Sequence, residues 1–203
     1  MMQEQQLRNV SRETLNRLRH FEKLVLKWTK KINLVSAGDA VNIWNRHIID
    51  SMQVYHVAPK VDHWLDLGSG GGFPGIVAAI MAQDDAAECR FTLVDSDQRK
   101  CVFLRTVARE LELEVSVKAV RIDDLEPQSA GVVTARALGD LSVLLDYVNR
   151  HMSSAGTALL PKGITWEAEH VMARDRWFYD LEAIRSETNP GATILKIKEL
   201  KRV

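Results

Sequence analysis

The segment Leu65-Asp66-Leu67-Gly68-Ser69-Gly70-Gly71-Gly72-Phe73-Pro74-Gly75 joins a short apolar run, residues 63–67, to an apolar helical run, residues 74–82. Glycine lets the backbone turn tightly and approach a ligand closely. In a parallel sheet, the loop that leaves a strand and enters a helix is where nucleotide-like ligands bind. A glycine-rich loop alone is a weak signal, because any tight turn also favours glycine. Its position between a strand and a helix makes it a candidate cofactor loop.

The spacing of the glycines indicates which class of cofactor the loop can bind. Dehydrogenase loops follow G-x-G-x-x-G, whereas this loop has Gly68-x-Gly70-x-Gly72 and places Phe73 where the third dehydrogenase glycine would lie. Asp66 precedes the first glycine by two residues, where a carboxylate would repel a pyrophosphate and attract the ammonium and sulfonium of S-adenosylmethionine. The loop therefore favours S-adenosylmethionine over a nicotinamide dinucleotide.

Acidic residues also follow the next two strand-like runs. Asp95 ends the second run, where its carboxylate suits the two ribose hydroxyls, although it could instead cap the following helix. Asp123 and Asp124 follow the third run, where a carboxylate and the backbone N–H of Ile122 or Asp123 suit an adenine edge, although loop solvation explains the pair nearly as well. Together these sites predict an adenosine-containing, positively charged cofactor.

The pattern of elements around the loop predicts an α/β fold. Strand-like and helical runs alternate from residue 63 onward, which is typical of a doubly wound, mostly parallel sheet with helices on both faces. The helix at 97–111 is expected to turn Val102, Phe103, Val107 and Leu111 inward. Runs at 177–184 and 192–197, joined by Asn189-Pro190-Gly191, predict a carboxyl-terminal antiparallel hairpin.

The amino-terminal part of the chain predicts a helical extension. Apolar residues at three- and four-residue steps indicate a helix over 11–31, capped by Ser11, and a second helical segment is expected at 39–56. We expect residues 1–60 to pack as an extension on a methyltransferase domain at 61–203, forming one compact unit.

Charge and composition narrow the class of protein. The 203 residues carry no net charge, yet residues 1–60 hold 10 Lys and Arg against 5 Asp and Glu. No apolar run is long enough for a membrane span and no secretory signal is visible, so a cytoplasmic monomer without a membrane partner is expected. Cys89 and Cys101 form no metal-type cluster, so no metal is expected and both are read as buried or idle thiols.

The residues after the fourth strand bear on the reaction. Thr134-Ala135-Arg136-Ala137-Leu138 has neither the Asn/Asp-Pro-Pro-aromatic motif of amine methylation nor a nucleophilic cysteine. A substrate atom with a free lone pair and no proton, such as guanine N7, would need only alignment with the methyl group. The guanidinium of Arg136 suits guanine O6 or a phosphate, although it could simply pair with a nearby carboxylate.

Several longer motifs, taken together, resemble one family. The chain resembles the bacterial 16S rRNA (guanine-N7)-methyltransferase G family, also called glucose-inhibited division protein B, over nearly its whole length. The motifs that carry the resemblance are Lys27-Trp28-Thr29-Lys30-Lys31-Ile32-Asn33-Leu34-Val35-Ser36, Arg46-His47-Ile48-Ile49-Asp50-Ser51, the Asp66 to Gly75 loop, Leu93-Val94-Asp95-Ser96, Arg99-Lys100-Cys101-Val102-Phe103-Leu104, Thr134-Ala135-Arg136-Ala137 and Pro161-Lys162-Gly163.

The resemblance implies a class I, Rossmann-like S-adenosylmethionine-dependent fold. It also implies methyl transfer to the N7 of one guanine in the decoding-region loop of 16S rRNA. The substrate would be either naked 16S rRNA or the small ribosomal subunit. By the resemblance, Gly68, Phe73, Ile122, Asp123 and Arg136 fall on cofactor-contacting positions, whereas the residues alone suggest that Arg136 lies nearer the substrate.

A further group is expected to contact the substrate. On a regular helix, Arg46, His47 and Asp50 would lie on neighbouring turns, and with Asn33 nearby they are hypothesised to flank the guanine. The alternative is a hydrogen-bonded joint between the helical segment and the sheet. Histidine would position rather than act as a base, because N7 has no proton to lose. The predicted RNA contacts are Lys27, Lys30, Lys31, Arg46 and Lys162.

Three other functions stay open at this point. The chain could methylate a small molecule, although the basic amino-terminal helix would then have no evident use. It could be a catalytically idle nucleotide- or RNA-binding module. A nicotinamide-dependent oxidoreductase is disfavoured by Asp66 and Phe73.

Overall fold

The computed structural model describes residues 10–85 and 88–203. Its α-helices are α1 (Arg12–Thr29), α2 (Ala37–Ala40), α3 (Asp50–His56), α4 (Gly75–Asp84), α5 (Gln98–Glu110), α6 (Leu141–His151) and α7 (Trp166–Ala173). Its strands are β1 (His63–Leu67), β2 (Arg90–Asp95), β3 (Val115–Ala119), β4 (Ala130–Ala135), β5 (Met152–Lys162), β6 (Trp177–Arg185) and β7 (Thr193–Arg202). A π-helix spans Trp44–Ile49 and a 3₁₀ turn spans Ile122–Asp124.

All seven strands form a single sheet in the order β3-β2-β1-β4-β5-β7-β6. Strands β1 to β5 pair in parallel, and β7 pairs antiparallel with both β5 and β6. The predicted doubly wound sheet with a carboxyl-terminal antiparallel hairpin is therefore confirmed. The strand order reverses direction between β1 and β4, which leaves a crevice at the carboxyl ends of these strands.

Two apolar cores cover the two faces of the sheet. One face is covered by α1, α3, α4 and α5, and the other by α6 and α7. Helix α4 is buried almost throughout, because it lies between the sheet and the amino-terminal helices. The apolar stripe of α1, which includes Leu18, Phe21 and Val25, packs on this layer. The basic amino-terminal segment thereby becomes part of the face that contains α4.

Helix α1 begins as the sequence predicts. The Ser11 hydroxyl accepts a hydrogen bond from the Thr14 N–H at 3.1 Å, which satisfies a free donor in the first turn. Phe103 and Val107 in α5 and Leu111 just after it are buried. The expectation for Val102 was wrong, since this residue is 50% exposed. Cys101 takes an inward position instead, because it lies over the sheet between β2 and β3.

The second helical segment is not one regular helix. Residues 39–56 fall into the end of α2, a π-helix and α3. The wider turns of a π-helix change which side chains are neighbours, and this change bears on the site described below. Within residues 10–85 and 88–203, no helix has the length and apolar character of a membrane span.

Candidate functional site

A cavity of about 420 Å³ opens where β1, β2, β3 and β4 end. The glycine loop forms its floor, and the segments that follow β2, β3 and β4 form its walls. The lining residues are Leu34, Gly68, Ser69, Gly70, Gly71, Phe73, Asp95, Ser96, Lys100, Val120, Arg121, Ile122, Asp123, Arg136, Ala137, Leu138 and Tyr147. Among the polar members of this set, the sequence predicted a role for Asp95, Asp123 and Arg136. It predicted none for several other lining residues, such as Lys100, Leu138 and Tyr147, because no chemical motif distinguishes them from ordinary surface or core residues.

The glycine loop has a conformation that side chains would disturb. Gly68 has a φ of +66° and Gly70 a φ of +51°, in the left-handed region that favours glycine. A Cβ on Gly68 would lie 2.4 Å from the Leu138 side chain. The loop is held by a hydrogen bond from the Ser69 N–H to the Val94 carbonyl at 2.9 Å. Its backbone is thus kept open toward the cavity.

Asp66 lies beneath this loop and does not line the cavity. Its side chain is buried, and one carboxylate oxygen accepts a hydrogen bond from the Thr134 hydroxyl at 2.7 Å. Burial raises the pKa of Asp66 to about 6, against the lowering effect of hydrogen bonds from Thr134 and Ser69. Direct contact between this carboxylate and a cofactor, as the sequence suggests, remains a prediction, and in the structure Asp66 supports the loop from below.

Asp95 faces the cavity and links two loops. One carboxylate oxygen accepts from the Gly70 N–H and the other from the Asp97 N–H, both at 2.8 Å. The alternative that Asp95 caps the following helix is wrong, because Asp97 caps α5 by accepting from the Arg99 N–H at 2.8 Å. Each Asp95 oxygen retains a lone pair for hydroxyl donors on the cavity side.

The third acidic site is the 3₁₀ turn that contains Ile122 and Asp123. Both residues line the cavity, and Asp123 pairs with Arg121 at 3.6 Å on the surface. The end of α6 holds this turn from behind. The Arg150 guanidinium donates to the Leu125 carbonyl at 3.0 Å, and the His151 ring approaches the Ile122 carbonyl at 3.3 Å. The backbone of the turn is therefore held at the wall of the cavity.

Arg136 directly follows β4 and lines the same cavity. Its guanidinium donates to His47 Nδ1 at 2.7 Å. Both groups lie against Phe73: the imidazole stacks on that ring at 4.9 Å, and the Arg136 guanidinium carbon lies 5.4 Å from its centroid. Burial lowers the pKa of Arg136, and the charge of Asp50 opposes this effect. The structure thus gives Arg136 a histidine partner that the sequence reasoning did not connect with it.

Of the expected cluster of Arg46, His47 and Asp50, only Arg46 and His47 come together, at Asp39, so the prediction was wrong for Asp50. Arg46 pairs with Asp39 at 2.8 Å. Asp50 accepts hydrogen bonds from the hydroxyls of Ser186 and Thr188 in the β6–β7 turn. Because Arg46 and His47 lie in the π-helix and Asp50 follows it directly, the side-chain spacing of a regular α-helix does not apply. Asp50 therefore forms a hydrogen-bonded joint between the helical segment and the sheet, which was the alternative hypothesis for this group.

The side chains predicted to contact RNA differ in their exposure to solvent and in whether they form ion pairs. Lys27, Lys30 and Lys31 are exposed at and after the end of α1. Asn33 is also exposed and precedes Leu34 of the cavity lining.

Lys162 differs from the other candidate RNA contacts. Its ammonium donates to the Gly139 carbonyl at 2.9 Å and pairs with Glu169 at 2.6 Å, with a tenth of its side chain exposed. A phosphate would have to compete with Glu169 for this ammonium. The structure therefore gives Lys162 a role in holding the loop after β4.

Within residues 10–85 and 88–203, no group of three or more His, Cys, Asp or Glu side chains has an arrangement suited to a metal ion. Burial raises the pKa of the Cys89 thiol to about 11, so this thiol stays protonated at neutral pH.

Comparison with known proteins gives a consistent result. The model of the GidB family, described as rRNA small subunit methyltransferase G, matches residues 14–190. Ribosomal RNA small subunit methyltransferase G of Ruegeria sp. (strain TM1040) is 49% identical over 96% of this chain and 95% of its own. The protein of the same name from Cereibacter sphaeroides (strain ATCC 17029 / ATH 2.4.9) is 48% identical over the full length of both chains. An S-adenosylmethionine-dependent methyltransferase from Aquifex aeolicus shares the fold, with a TM-score of 0.60 at 10% identity over 85% of this chain and 97% of its own.

Proposed function

Because the chain belongs to the rRNA small subunit methyltransferase G family, we propose that it transfers the methyl group of S-adenosylmethionine to the N7 of a guanine in the decoding-region loop of 16S rRNA. The observation that carries this proposal is the cavity at the ends of β1 to β4, whose glycine loop and acidic rim suit a cationic adenosine cofactor. The exposed lysines of the amino-terminal segment support an RNA substrate over a small molecule. Acting on ribosomal RNA, the enzyme would work in the cytoplasm.

The residues around the cavity fit S-adenosylmethionine. Gly68 and Gly70 line the cavity at positive φ, so the loop backbone can approach a bound cofactor closely. Asp95 would accept hydrogen bonds from the ribose hydroxyls, and the turn at Ile122 and Asp123 would contact the adenine edge. Leu138 and Tyr147 add apolar surface to the same cavity. Phe73 and Arg136 would lie at the methyl end, since they are grouped with His47 on one side of the loop.

The reaction places few chemical demands on the protein. When bound, S-adenosylmethionine supplies an electrophilic methyl group on a sulfonium. Guanine N7 has a lone pair and no proton, so no side chain must act as a general base. The protein has to align the guanine and exclude competing acceptors, which is the part of catalysis that orientation provides. Arg136 can direct its planar guanidinium at guanine O6 or at a neighbouring phosphate.

The proposal is tested by following labelled methyl transfer from S-adenosylmethionine to rRNA from a strain that lacks the corresponding enzyme. N7-selective strand cleavage then locates the product. We expect one cleavage site, in naked rRNA or in assembled small subunits. Asp95→Ala should abolish transfer, whereas the matched change Asp180→Ala, on the exposed face of β6, should not. Cofactor binding without transfer to either RNA substrate would refute the rRNA proposal and favour a small-molecule acceptor.

A further inference from the structure

A line of side chains connects the amino-terminal helical segment to the methyl end of the cavity. The line runs from Asp39 in α2 through His47 in the π-helix to Arg136, which directly follows β4. Of these, only Arg136 lines the cavity. The two residues behind it are 89 and 97 positions away in sequence, so the fold alone brings them together.

The hydrogen bond between Arg136 and His47 determines which ring nitrogen carries the proton. A guanidinium has donors only, so His47 Nδ1 at 2.7 Å must accept. A neutral imidazole that accepts at Nδ1 is protonated at Nε2. This Nε2 atom is buried without a hydrogen bond and lies 3.9 Å from a carboxylate oxygen of Asp39. Asp39 therefore faces the protonated side of the ring.

The ring itself has little freedom to move. It stacks on Phe73 with centroids 4.9 Å apart and planes inclined by 26°. Phe73 is itself buried and packs against Phe21 of α1 at 5.1 Å. The orientation of the His47 acceptor is thus set by the core rather than by solvent.

The charges around the ring keep it neutral. Burial lowers the pKa of His47 to about 4, and the positive charge of Arg136 acts in the same direction. The other charged groups that act on it are Asp39, which opposes the shift, and Arg46, which adds to it. Asp39 is a stable carboxylate, because hydrogen bonding from Ser36 is the largest effect and lowers its pKa. Protonation of His47 would remove the acceptor and place two cations side by side.

We propose that His47 and Asp39 are positioning residues, which hold the Arg136 guanidinium in place through an Asp39–His47–Arg136 relay of contacts. His47 serves as a neutral acceptor, and Asp39 orients its Nε2–H side by electrostatic attraction. Neither residue moves a proton during methyl transfer. The inference rests on the proposed function for its catalytic consequence, but the tautomer and the contact can be measured without it.

The first experiment compares two substitutions of His47. Asparagine places an acceptor oxygen one bond from Cγ, as Nδ1 is, whereas alanine places none. His47→Ala should lower kcat by about 10²-fold, the scale of a misplaced catalytic group, with a smaller change in KM for rRNA. His47→Asn should recover most of that loss. His56→Ala, an exposed histidine on α3, is the matched control. Equal activity of His47→Ala and the wild type, or no recovery by His47→Asn in a folded protein, would overturn the proposal.

A second substitution tests whether Asp39 acts through His47. Asp39→Asn should lower kcat in the wild-type background and have little further effect on the His47→Ala variant, because residues that act as one unit are not additive. Fully additive effects would remove Asp39 from the relay.

A spectroscopic readout is independent of catalysis. In protein labelled with ¹⁵N histidine, His47 should give the pattern of a neutral ring protonated at Nε2 throughout pH 6 to 8. Arg136→Met should raise the pKa of His47, because a neighbouring positive charge is lost. A ring protonated at Nδ1, or charged at pH 6, would overturn the proposal. Failure of the wild type to methylate any rRNA would refute the proposed function, and the spectrum would still decide the relay.

Discussion

Replacing Asp66 by asparagine should remove a specific pH dependence from the stability of this protein. The side chain is 1% exposed and lies beneath the glycine loop, where its carboxylate accepts a hydrogen bond from Thr134. Asparagine is close in shape and keeps an oxygen for that hydroxyl, but it cannot ionise. The substitution therefore isolates the free energy of the buried charge.

The magnitude follows from the pKa of the Asp66 carboxyl. Burial raises this pKa from 3.8 to about 6, so the folded state binds the proton more tightly than the unfolded chain does. The resulting stabilisation is fully present below pH 3.8 and is lost as the pH rises through 6. Proton linkage gives about 1.4 kcal/mol between pH 5 and pH 8, and about 3 kcal/mol in all.

The assay is urea unfolding of the wild type and of Asp66→Asn at pH 5 and pH 8. Other titrating groups contribute equally to both proteins and cancel in the difference. The wild type should lose about 1.4 kcal/mol relative to the variant when the pH is raised from 5 to 8. A difference that does not change with pH, or that changes in the opposite direction, would refute the assignment of a raised pKa to Asp66.

The same pair of proteins tests whether Asp66 contributes to cofactor binding. A cationic ligand near the loop would favour the charged carboxylate and lower the pKa of Asp66 in the complex. The affinity for S-adenosylmethionine, measured by calorimetry, should then weaken below pH 6 by up to about tenfold per pH unit in the wild type. Asp66→Asn should show no such trend. If the wild-type affinity is flat with pH, Asp66 supports the loop without contributing to cofactor affinity.

The remaining predictions concern the loop and the basic residues. Gly68→Ala should destabilise the fold by about 1 to 3 kcal/mol in denaturant unfolding and weaken cofactor binding, because it places a side chain at positive φ. The control Gly163→Ala, where a Cβ meets nothing within 4 Å, should change neither stability nor cofactor binding. Equal effects of the two substitutions would contradict this prediction. Lys30→Ala should lower the slope of log affinity for RNA against log salt by about 0.7 to 0.9, as measured by filter binding, whereas an unchanged slope would exclude a phosphate contact. Lys162→Ala should leave that slope unchanged and reduce the free energy of unfolding by about 1 to 3 kcal/mol, because the Glu169 carboxylate loses its ammonium partner and keeps only the Leu141 N–H and the Thr165 hydroxyl. A changed slope with unchanged stability would make Lys162 an RNA contact after all.

Local sequence determined most of the fold because each element carries its own signal. The strand–glycine–helix order around Gly68, followed by carboxylates at successive strand ends, predicted both the parallel sheet and the edge where the cavity lies. Asp95 and Asp123 line that cavity because the carboxyl ends of parallel strands meet at one edge. The register of the apolar residues in α5 was less informative, since Val102 is exposed beside the buried Phe103.

Sequence also determined the family, because extended motifs over nearly the whole chain are more specific than any single pattern. It did not determine the local geometry between Trp44 and Ile49. The residue types of this segment do not distinguish a π-helix from an α-helix. The two differ in the register of their backbone hydrogen bonds, which depends on how the segment packs against its neighbours.

Only the tertiary structure decided which charged side chains pair. Arg136 meets His47 rather than a carboxylate, Lys162 meets Glu169, and Asp50 joins the β6–β7 turn. These partners are distant in the chain, and a long polar side chain can reach several neighbours on any surface. Periodicity indicates which face of an element is buried, but the partner of a polar group on that face depends on what packs there, and this is a property of the folded chain as a whole.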